Sequence, residues 1–436
     1  WEIWLSEAQE RMVLAAPPAS LAALQALCNT FDVELTDIGA FTDTRHLVVR
    51  YGEHIVLDLA NEFLHDGLPR RSLTAVIRPR PSAFSHYSPL VTRYSNYNTA
   101  LLALLSAPNI RSKAAVIRLY DHEVQGGTVV KPLTGARDDG PSDACVLKPF
   151  GTNGTRGLVL SNGINPELGK VDAYAMAISV IDEAIRNAVA VGADPDRIAL
   201  LDNFCWGDPL RPETLGTLIE AARGCYDAAV AYGTPFISGK DSLNNEYLGA
   251  DGLRHAIPPT LLISAIGLID DVSRAVTMDA KEPGNLVYLL EAGNAMPSTS
   301  GETPEADHAL RFTRNAVALY RALHRAIKAG LVRACHDLSE GGLAVAAAEM
   351  CIGGRLGMEL TIGSGEPARA LFGEGNGRVL IEVRPDDGRT VESFFDHTLI
   401  HRLGVVTTEP RLKIAADAPL ISLAIDELVA AWSPLP

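Results

Sequence analysis

The chain has 436 residues, 47% of them apolar, and a formal net charge of −15. This acidic balance argues against a nucleic-acid or membrane surface, because phosphate groups attract faces rich in Lys and Arg, and no uncharged apolar run reaches the roughly 18 residues of a membrane span. The six cysteines have neither metal-type pair spacing nor the density of a disulfide framework. We therefore expect a globular protein of about three domains, with reduced thiols and a cytoplasmic location.

Residues 1–80 carry too few elements to close a core of their own. The pattern predicts a strand at 11–16, a helix at 21–31, β structure within 33–51 and a strand at 54–59. We expect the C-terminal tail of a truncated α/β domain here. A linker is predicted at 81–100, in a stretch rich in Pro, Arg and Ser.

The middle of the chain alternates β and α patterns, which indicates an α/β sheet domain covered by long helices at 101–280. The predicted strands are 157–161, 197–201, 234–237 and 261–269, and the predicted helices are 172–191 and 212–232. A second α/β domain is predicted at 281–436. It holds a strand at 285–290 and helices at 314–329 and 343–351.

One segment of the chain recurs. Residues 6–14 read SEAQERMVL and residues 373–381 read GEGNGRVLI, so that glutamate, side-chain amide, arginine and an apolar run return in the same order. A helix-like segment and a β-like run through Gly39 or Gly404 follow each copy. We interpret this as a duplication, and because Trp1 is not an initiator methionine, we expect most of the first copy to lie upstream.

Four stretches place oxygen-bearing side chains where strands or helices end. Scattered oxygen donors suit a hard cation such as Mg²⁺, which completes its shell with water and substrate phosphates. Taken singly, the same residues fit a strand edge, a solvated helix face or a helix cap with a tight turn. The stretches contain Ser142 and Asp143; Glu183 and Asn187, four apart on one helix; Asp202; and Asp337, Ser339, Gly341 and Gly342.

Two glycine-containing turns are candidate phosphate sites. Gly341 and Gly342 precede an alanine-rich helix, where exposed backbone N–H groups bind phosphate. The segment Ser238-Gly239-Lys240-Asp241-Ser242 is predicted as a strand-to-loop turn that resembles a phosphate clamp, although it lacks the Walker A spacing. A surface turn is the alternative for this second segment.

The segment at residues 120–128, YDHEVQGGT, offers His122 as a general base. With carboxylates on both sides and no visible partner, His122 is equally explained as a loop residue held by hydrogen bonds.

Together these motifs resemble the phosphoribosylformylglycinamidine synthase family, and specifically the second half of its large synthetase subunit. The resemblance covers nearly the whole chain in family order. The matching segments are LSEAQERM at 5–12, YDHEVQGGT at 120–128, ISGKDS at 237–242, DVSRAVTM at 271–278, HDLSEGGL at 336–343 and LFGE at 371–374.

The resemblance implies a fold class of α/β (α+β) type, the duplicated fold of aminoimidazole-ribonucleotide synthetase. One complete pair of N-type and C-type domains would follow the tail of an earlier C-type domain. It also implies ATP-dependent conversion of formylglycinamide ribonucleotide to the amidine, with ammonia from a separate glutaminase subunit. Phosphoryl transfer of this kind depends on positioning and on Mg²⁺.

Residue roles follow from the same resemblance. Glu7, Gln9 and Ser242 would contact substrate, and Asp143, Glu183, Asn187 and Asp337 would hold the metal of an auxiliary ATP or ADP site. Nucleotide-binding residues would be Ser142, Asp143, Asp202, Gly239, Lys240, Ser339, Gly341 and Gly342. Ala8, Lys240 and Glu340 stand where the family usually has serine, asparagine and aspartate, and the asparagine's replacement puts metal ligation at position 240 in doubt.

The catalytic histidine and main ATP site of the family belong to the first half, so we expect no turnover by this chain alone. His122 occupies the corresponding place without the family's histidine motif. Two alternatives remain open: another enzyme of the superfamily, such as aminoimidazole ribonucleotide synthetase or selenophosphate synthetase, and a scaffold half that holds a purely structural nucleotide.

Overall fold

The computed structural model describes residues 5–6, 11–67, 69–79, 91–120, 122–293, 306–363 and 365–433. The α-helices are α1 Leu21–Thr30, α2 Asn61–Asp66, α3 Tyr97–Leu105, α4 Ala114–Ile117, α5 Pro166–Gly169, α6 Ala173–Ala190, α7 Pro212–Tyr232, α8 Ala306–Lys328, α9 Gly342–Gly354, α10 Pro367–Phe372, α11 Gly388–Glu392 and α12 Ile425–Trp432. Among them, none is both long and apolar enough to cross a bilayer.

The strands form two large sheets and three small ones. Their bounds are β1 His46–Tyr51, β2 His54–Ala60, β3 Thr128–Val130, β4 Leu133–Thr134, β5 Gly140–Pro141, β6 Cys145–Leu147, β7 Gly157–Ile164, β8 Ile198–Cys205, β9 Phe236–Ser242, β10 Glu246–Leu248, β11 Arg254–Ala256, β12 Thr260–Ile269, β13 Leu286–Glu291, β14 Val332–Asp337, β15 Gly357–Thr361, β16 Arg378–Val383, β17 Ile400–Thr407, β18 Arg411–Ala415 and β19 Pro419–Ala424.

The chain divides into two compact units, Trp1–Ser72 and Leu73–Pro436. The first contains α1, the antiparallel hairpin β1–β2 and α2, and none of its described residues is buried. Met12 is 90% exposed and Phe41 is 91% exposed. The predicted strand at 11–16 does not form, since a strand needs a hydrogen-bonded neighbour and the hairpin pairs only with itself.

In the second unit, a six-stranded sheet has the order β3-β6-β7-β12-β8-β9, with only β8 and β9 parallel. Helix α6 begins at Asp172, whose carboxylate accepts a hydrogen bond from the Ala175 N–H at 2.9 Å. Helix α7 begins with Pro212 and ends at Gly233 in the left-handed conformation, as the sequence predicted. The apolar faces of both helices enter one core with the inward side chains of the strands.

The face of this sheet that lies opposite α6 and α7 carries solvent-exposed aliphatic side chains. Leu160 is 42% exposed, Ile164 is 46% exposed and Leu201 is 36% exposed. Register places Leu160 beside Ile266 and Ile164 beside Leu262 on β12. We call Leu160, Ile164, Leu201, Leu262 and Ile266 the open sheet face.

The seven-stranded sheet has the order β14-β16-β13-β17-β15-β18-β19. Alternate residues of β13 enter different cores: Tyr288 and Leu290 pack with α6 and α8, whereas Val287 and Leu289 pack with α3, α9 and α12. This sheet is therefore a layer between two cores, and the first of them joins the two sheet domains.

The linker predicted at 81–100 is only partly testable, because residues 80–90 lie outside the described chain. Residues 91–100, the described part of this segment, do not form a linker. Val91 is 4% exposed, and Leu101, Leu104 and Leu105 of α3 are at most 1% exposed. Helix α3 packs on α12 and β19, so this segment belongs to the C-type domain, because its apolar side chains find their burial there.

The compact unit also begins earlier than the predicted boundary at 80. The Val76 N–H donates to the Pro212 carbonyl at 2.8 Å. A Cβ added to Gly216 would lie 1.9 Å from the Val76 carbonyl oxygen. The glycine therefore permits the extended segment to lie directly on α7.

Candidate metal and nucleotide site

The predicted metal ligands come from both sheet domains. Asp143 lies in the loop between β5 and β6, Glu183 and Asn187 lie one turn apart on α6, and Asp337 ends β14. Ser339 follows in the loop that leads to α9. The structure thus brings together residues that are 194 positions apart in sequence.

Asp143 is held from the C-type domain. Its Oδ1 accepts hydrogen bonds from His336 Nδ1 at 2.9 Å and from the Asp337 N–H at 2.8 Å. Nε2 of His336 pairs with Glu349 at 3.0 Å. Burial alone would lower the pKa of His336, but the two carboxylates outweigh it and raise the pKa well above its usual value. Both ring nitrogens of His336 lie within hydrogen-bond distance of a carboxylate, and this contact positions Asp143.

Glu183 and Asp337 are also fixed by hydrogen bonds. Oε1 of Glu183 accepts from the Ser339 hydroxyl at 2.8 Å, and Oε2 accepts from the Ile164 N–H at 2.9 Å. Oδ2 of Asp337 accepts from Nε of Arg186 at 3.3 Å and from Nη2 at 3.1 Å. The carboxylates are oriented by the protein before any ligand arrives.

Among the buried oxygens that have no hydrogen-bond partner in the described chain, two belong to predicted metal ligands: Oδ2 of Asp143 and Oδ1 of Asn187. The Asn187 amide nitrogen donates to the Asn162 carbonyl at 3.1 Å, which leaves its oxygen available. Buried acceptors without partners are costly, and a bound cation would supply the missing interaction. The donor set is all oxygen, so the residues fit Mg²⁺.

The pKa values of two of the carboxylates are consistent with a cation site. Burial raises the pKa of Glu183 to about 7 against the opposing effect of Arg186. Burial also raises the pKa of Asp337 to about 6, again opposed by Arg186. A divalent cation would stabilise both ionised forms.

Arg186 belongs to a buried charge network that the sequence analysis missed. It pairs with Asp182 one turn earlier on α6 and with Asp337 on β14. Asp182 also accepts hydrogen bonds from the hydroxyls of Tyr232 and Tyr320, the latter at 2.7 Å. The available signal was an Asp and an Arg at i and i+4 on a face of α6 that is otherwise apolar.

The segment Ser238–Ser242 is not a turn, so that prediction was wrong. It lies inside edge strand β9, where parallel pairing with β8 keeps it extended. Asp202 lies opposite Gly239, and a Cβ at that glycine would be 2.5 Å from the carboxylate. Burial, and then Asp241, raise the pKa of Asp202. Lys240 contacts the Ser242 hydroxyl. Strands β7 and β12 lie between β6 and this group on β8 and β9.

The glycines before α9 do not expose N–H groups as predicted. Gly341 and Gly342 have φ of 80° and 63°, which favours glycine. The Gly341 N–H donates to Glu374 at 3.0 Å, and the Gly342 N–H donates to the Ser339 carbonyl at 3.1 Å. A carboxylate of the chain itself therefore takes the place of an anion at this helix N-terminus.

The remaining predicted residues are less informative. The Ser142 hydroxyl donates to the Ala144 carbonyl at 2.9 Å beside Asp143. His122 is exposed, and Nδ1 of its ring lies 3.3 Å from the Tyr120 carbonyl oxygen. Glu7 and Gln9 lie outside the described residues.

Replacing Arg186 with Met should lower the free energy of unfolding by about 3–5 kcal/mol, because Asp182 and Asp337 would stay buried without their counter-charge. The measurement is urea denaturation. Arg197→Met is the matched control, since Arg197 forms a half-exposed pair with Asp270 at 3.2 Å and should cost at most about 1 kcal/mol. Equal losses in both variants would contradict the role given to Arg186.

The pKa of Glu183 also predicts a pH dependence. The folded chain binds this proton more tightly than the unfolded chain between pH 4.5 and about 7. Stability without metal should therefore fall as pH rises through that range, by at most about 1.4 kcal/mol per pH unit. Glu183→Gln should flatten the curve of unfolding free energy against pH, and an unchanged slope would show that Glu183 is ionised throughout.

Comparison with known proteins identifies the two sheet domains. The family model described as AIR synthase related protein, N-terminal domain, matches residues 141–269. The corresponding C-terminal domain model matches residues 282–417 and also residues 1–52. The predicted fold class is confirmed.

Curated relatives are PurL subunits of phosphoribosylformylglycinamidine synthase. The Thermoplasma acidophilum subunit is 31% identical over 99% of this chain and 56% of its own length. The Gloeobacter violaceus subunit is 32% identical over 94% of this chain and 55% of its own length. The chain thus spans little more than half of the relatives that it matches.

Solved structures agree in fold. The structure of PurLQS from Thermotoga maritima superposes with a TM-score of 0.58 at 15% identity, over 78% of this chain and 52% of that one. The T. maritima PurL complexed with FGAR gives a TM-score of 0.55 at 16% identity, over 75% and 52%. With both domain models matched in order and PurL relatives aligned along nearly its whole length, the chain belongs to the AIR synthase related family, in the group of the phosphoribosylformylglycinamidine synthases.

Proposed function

We propose that this chain is part of a ligase that forms a C–N bond in de novo purine biosynthesis. The reaction is the ATP-dependent amidation of formylglycinamide ribonucleotide to formylglycinamidine ribonucleotide, with ammonia from glutamine. The PurL relatives support this reaction class. T. maritima PurL has been solved in complexes with FGAR, with ADP and with ATP.

Within that enzyme, we assign to this chain an auxiliary Mg-nucleotide site. The observation that carries the assignment is the pair of unpartnered buried oxygens on Asp143 and Asn187, beside the oriented carboxylates of Glu183 and Asp337. These four residues would hold Mg²⁺, which neutralises phosphate charge when bound. Ser142 and Ser339 would contact the nucleotide.

The protein's own groups maintain this geometry. His336 fixes the rotamer of Asp143, and Arg186 fixes that of Asp337. A second polar group lies on β8 and β9 and contains Asp202, Gly239, Lys240 and Ser242. We assign Ser242 to substrate binding and the other three residues to nucleotide binding, in a site that a partner completes. The Gly341 and Gly342 N–H groups are bonded within the chain and are left out of the phosphate site.

Catalysis requires a second set of domains. The open sheet face exposes aliphatic side chains that an antiparallel sheet normally covers or replaces with polar residues. The unit Trp1–Ser72 has no buried residue among those described, and residues 1–52 match the same C-terminal domain model as 282–417. We propose that a first half, with the main ATP site, covers these surfaces. A separate glutaminase subunit and a cytoplasmic location complete the proposal.

Denaturing the purified chain should release adenine nucleotide and Mg²⁺ in near-stoichiometric amounts. Asp143→Asn and Asp337→Asn should each lose both, because each removes a charged oxygen ligand from the cation. Chromatography of the supernatant and metal analysis provide the measurement.

Glu359→Gln is a suitable control, since Glu359 is half-exposed and pairs with Lys413 at 3.0 Å on β18. It should retain the nucleotide. A wild-type chain that stays empty after soaking with Mg-ATP would exclude the site and favour a scaffold without nucleotide.

The chain alone should form no amidine from formylglycinamide ribonucleotide, ATP and ammonium. Adding the first half of a PurL relative should restore turnover, and Ser242→Ala should lower kcat/KM of that mixture by about tenfold, the usual cost of a lost polar contact to substrate. Ser393→Ala, at an exposed position, is the control. Amidine formation by the isolated chain would overturn the half-enzyme proposal.

A further inference from the structure

A second cleft lies in the C-type domain. Its volume is about 490 Å³, within the range of small-molecule sites. Strands β13, β16 and β17, helix α10 and the loop at 373–377 enclose it. Leu289, Leu343, Ile362 and Leu403 provide an apolar wall.

The cleft is rich in cationic groups. Arg369 of α10, Arg378 of β16, and His401 and Arg402 of β17 all line it. Arg378 is paired with Glu291 at 3.4 Å and donates to the Gly373 carbonyl at 2.7 Å. Within the part of the chain that the structure describes, the side chains of Arg369 and Arg402 form no hydrogen bond or ion pair. Glu291, Glu366 and Glu374 line the same cleft, so cationic and carboxylate groups both face the space that a ligand would occupy.

A carboxylate and a side-chain amide, which can bind hydroxyl groups, line the cleft together with these cations. Glu374 and Asn376 line the same cleft. Oε1 of Glu374 already accepts from the Gly341 N–H at 3.0 Å, which fixes the carboxylate and leaves its second oxygen for a ligand. Arginine suits phosphate through paired N–H donors, and a carboxylate with an amide suits vicinal hydroxyls.

We infer that this cleft binds a small phosphate monoester of a sugar, at a site separate from the metal and nucleotide site. Arg369 and Arg402 contact the phosphate, and Glu374 contacts the sugar hydroxyls.

The loop at 373–377 connects this cleft to the other site. The Asn376 side chain accepts from the Ser179 hydroxyl at 2.8 Å, and the Gly377 N–H donates to Asp182 at 3.0 Å. Asp182 pairs with Arg186, which holds Asp337. A sugar phosphate in the cleft therefore touches a loop that is bonded to the network behind the metal ligands, and the two ligands are expected to influence each other's affinity.

The test is calorimetric titration of the full chain with ribose 5-phosphate. Saturable binding is expected, and Arg369→Gln and Arg402→Gln should each weaken it by about tenfold or more, because each removes a charge-assisted contact. Arg389→Gln is the matched control, since Arg389 is an exposed arginine of the same domain that does not line the cleft. It should bind as the wild type does.

Two further titrations distinguish this cleft from the metal and nucleotide site. Asp143→Asn should still bind ribose 5-phosphate, and saturating Mg-ADP should not abolish that binding. Absence of saturable binding, equal losses in all three arginine variants, or loss in Asp143→Asn would each overturn the proposal. Unchanged circular dichroism and thermal melting of Arg369→Gln and Arg402→Gln show that any loss is local.

Discussion

The buried ion pairs of Arg186 with Asp182 and Asp337 are the constraint on which the rest of the molecule depends. Arg186 is 2% exposed and Asp182 is fully buried, and such charges are tolerated only when every one of them is paired. The pairing fixes α6 against β14 and, through Tyr232 and Tyr320, against α7 and α8. Two sheet domains thereby share one core and one polar centre. The orientation of Asp337 is a by-product of this structural requirement.

The sequence predicted the elements whose signals are local. Helices α6 and α7 were found nearly to the residue, because apolar spacing, an Asp cap, an initial Pro and a terminal Gly all act within one or two turns. The resemblance in motif order, and with it the family and the fold class, was also readable before any coordinates. Asp143 and Asp337 were proposed as neighbours, and the structure places them in contact.

What the sequence could not predict depends on pairing between distant segments. Ser238–Ser242 has the composition of a turn, yet β8 draws it into a sheet. Residues 11–16 have the pattern of a strand, yet no neighbouring strand bonds to them in their own unit. The N–H of Gly341 was expected to be open, but Glu374, 33 residues later, accepts its hydrogen bond. The partners of His336 lie on other elements, and for Arg186 the sequence offered only Asp182, one turn away on α6, and not Asp337 on β14.

The charges around the candidate metal site have a consequence for how the protein is made. Asp143 and Glu349 share the single ring of His336, and Asp337 shares the single guanidinium of Arg186 with Asp182. The chain itself therefore supplies part of the compensation that, in domains whose acidic ligands have no such partners, only a bound metal provides. Glu183 lies beside this centre and is hydrogen-bonded only to a hydroxyl and a backbone N–H, so carboxylates outnumber basic groups and a cation would still be attracted. Loading is thus expected to follow folding, onto carboxylates that the protein has already oriented.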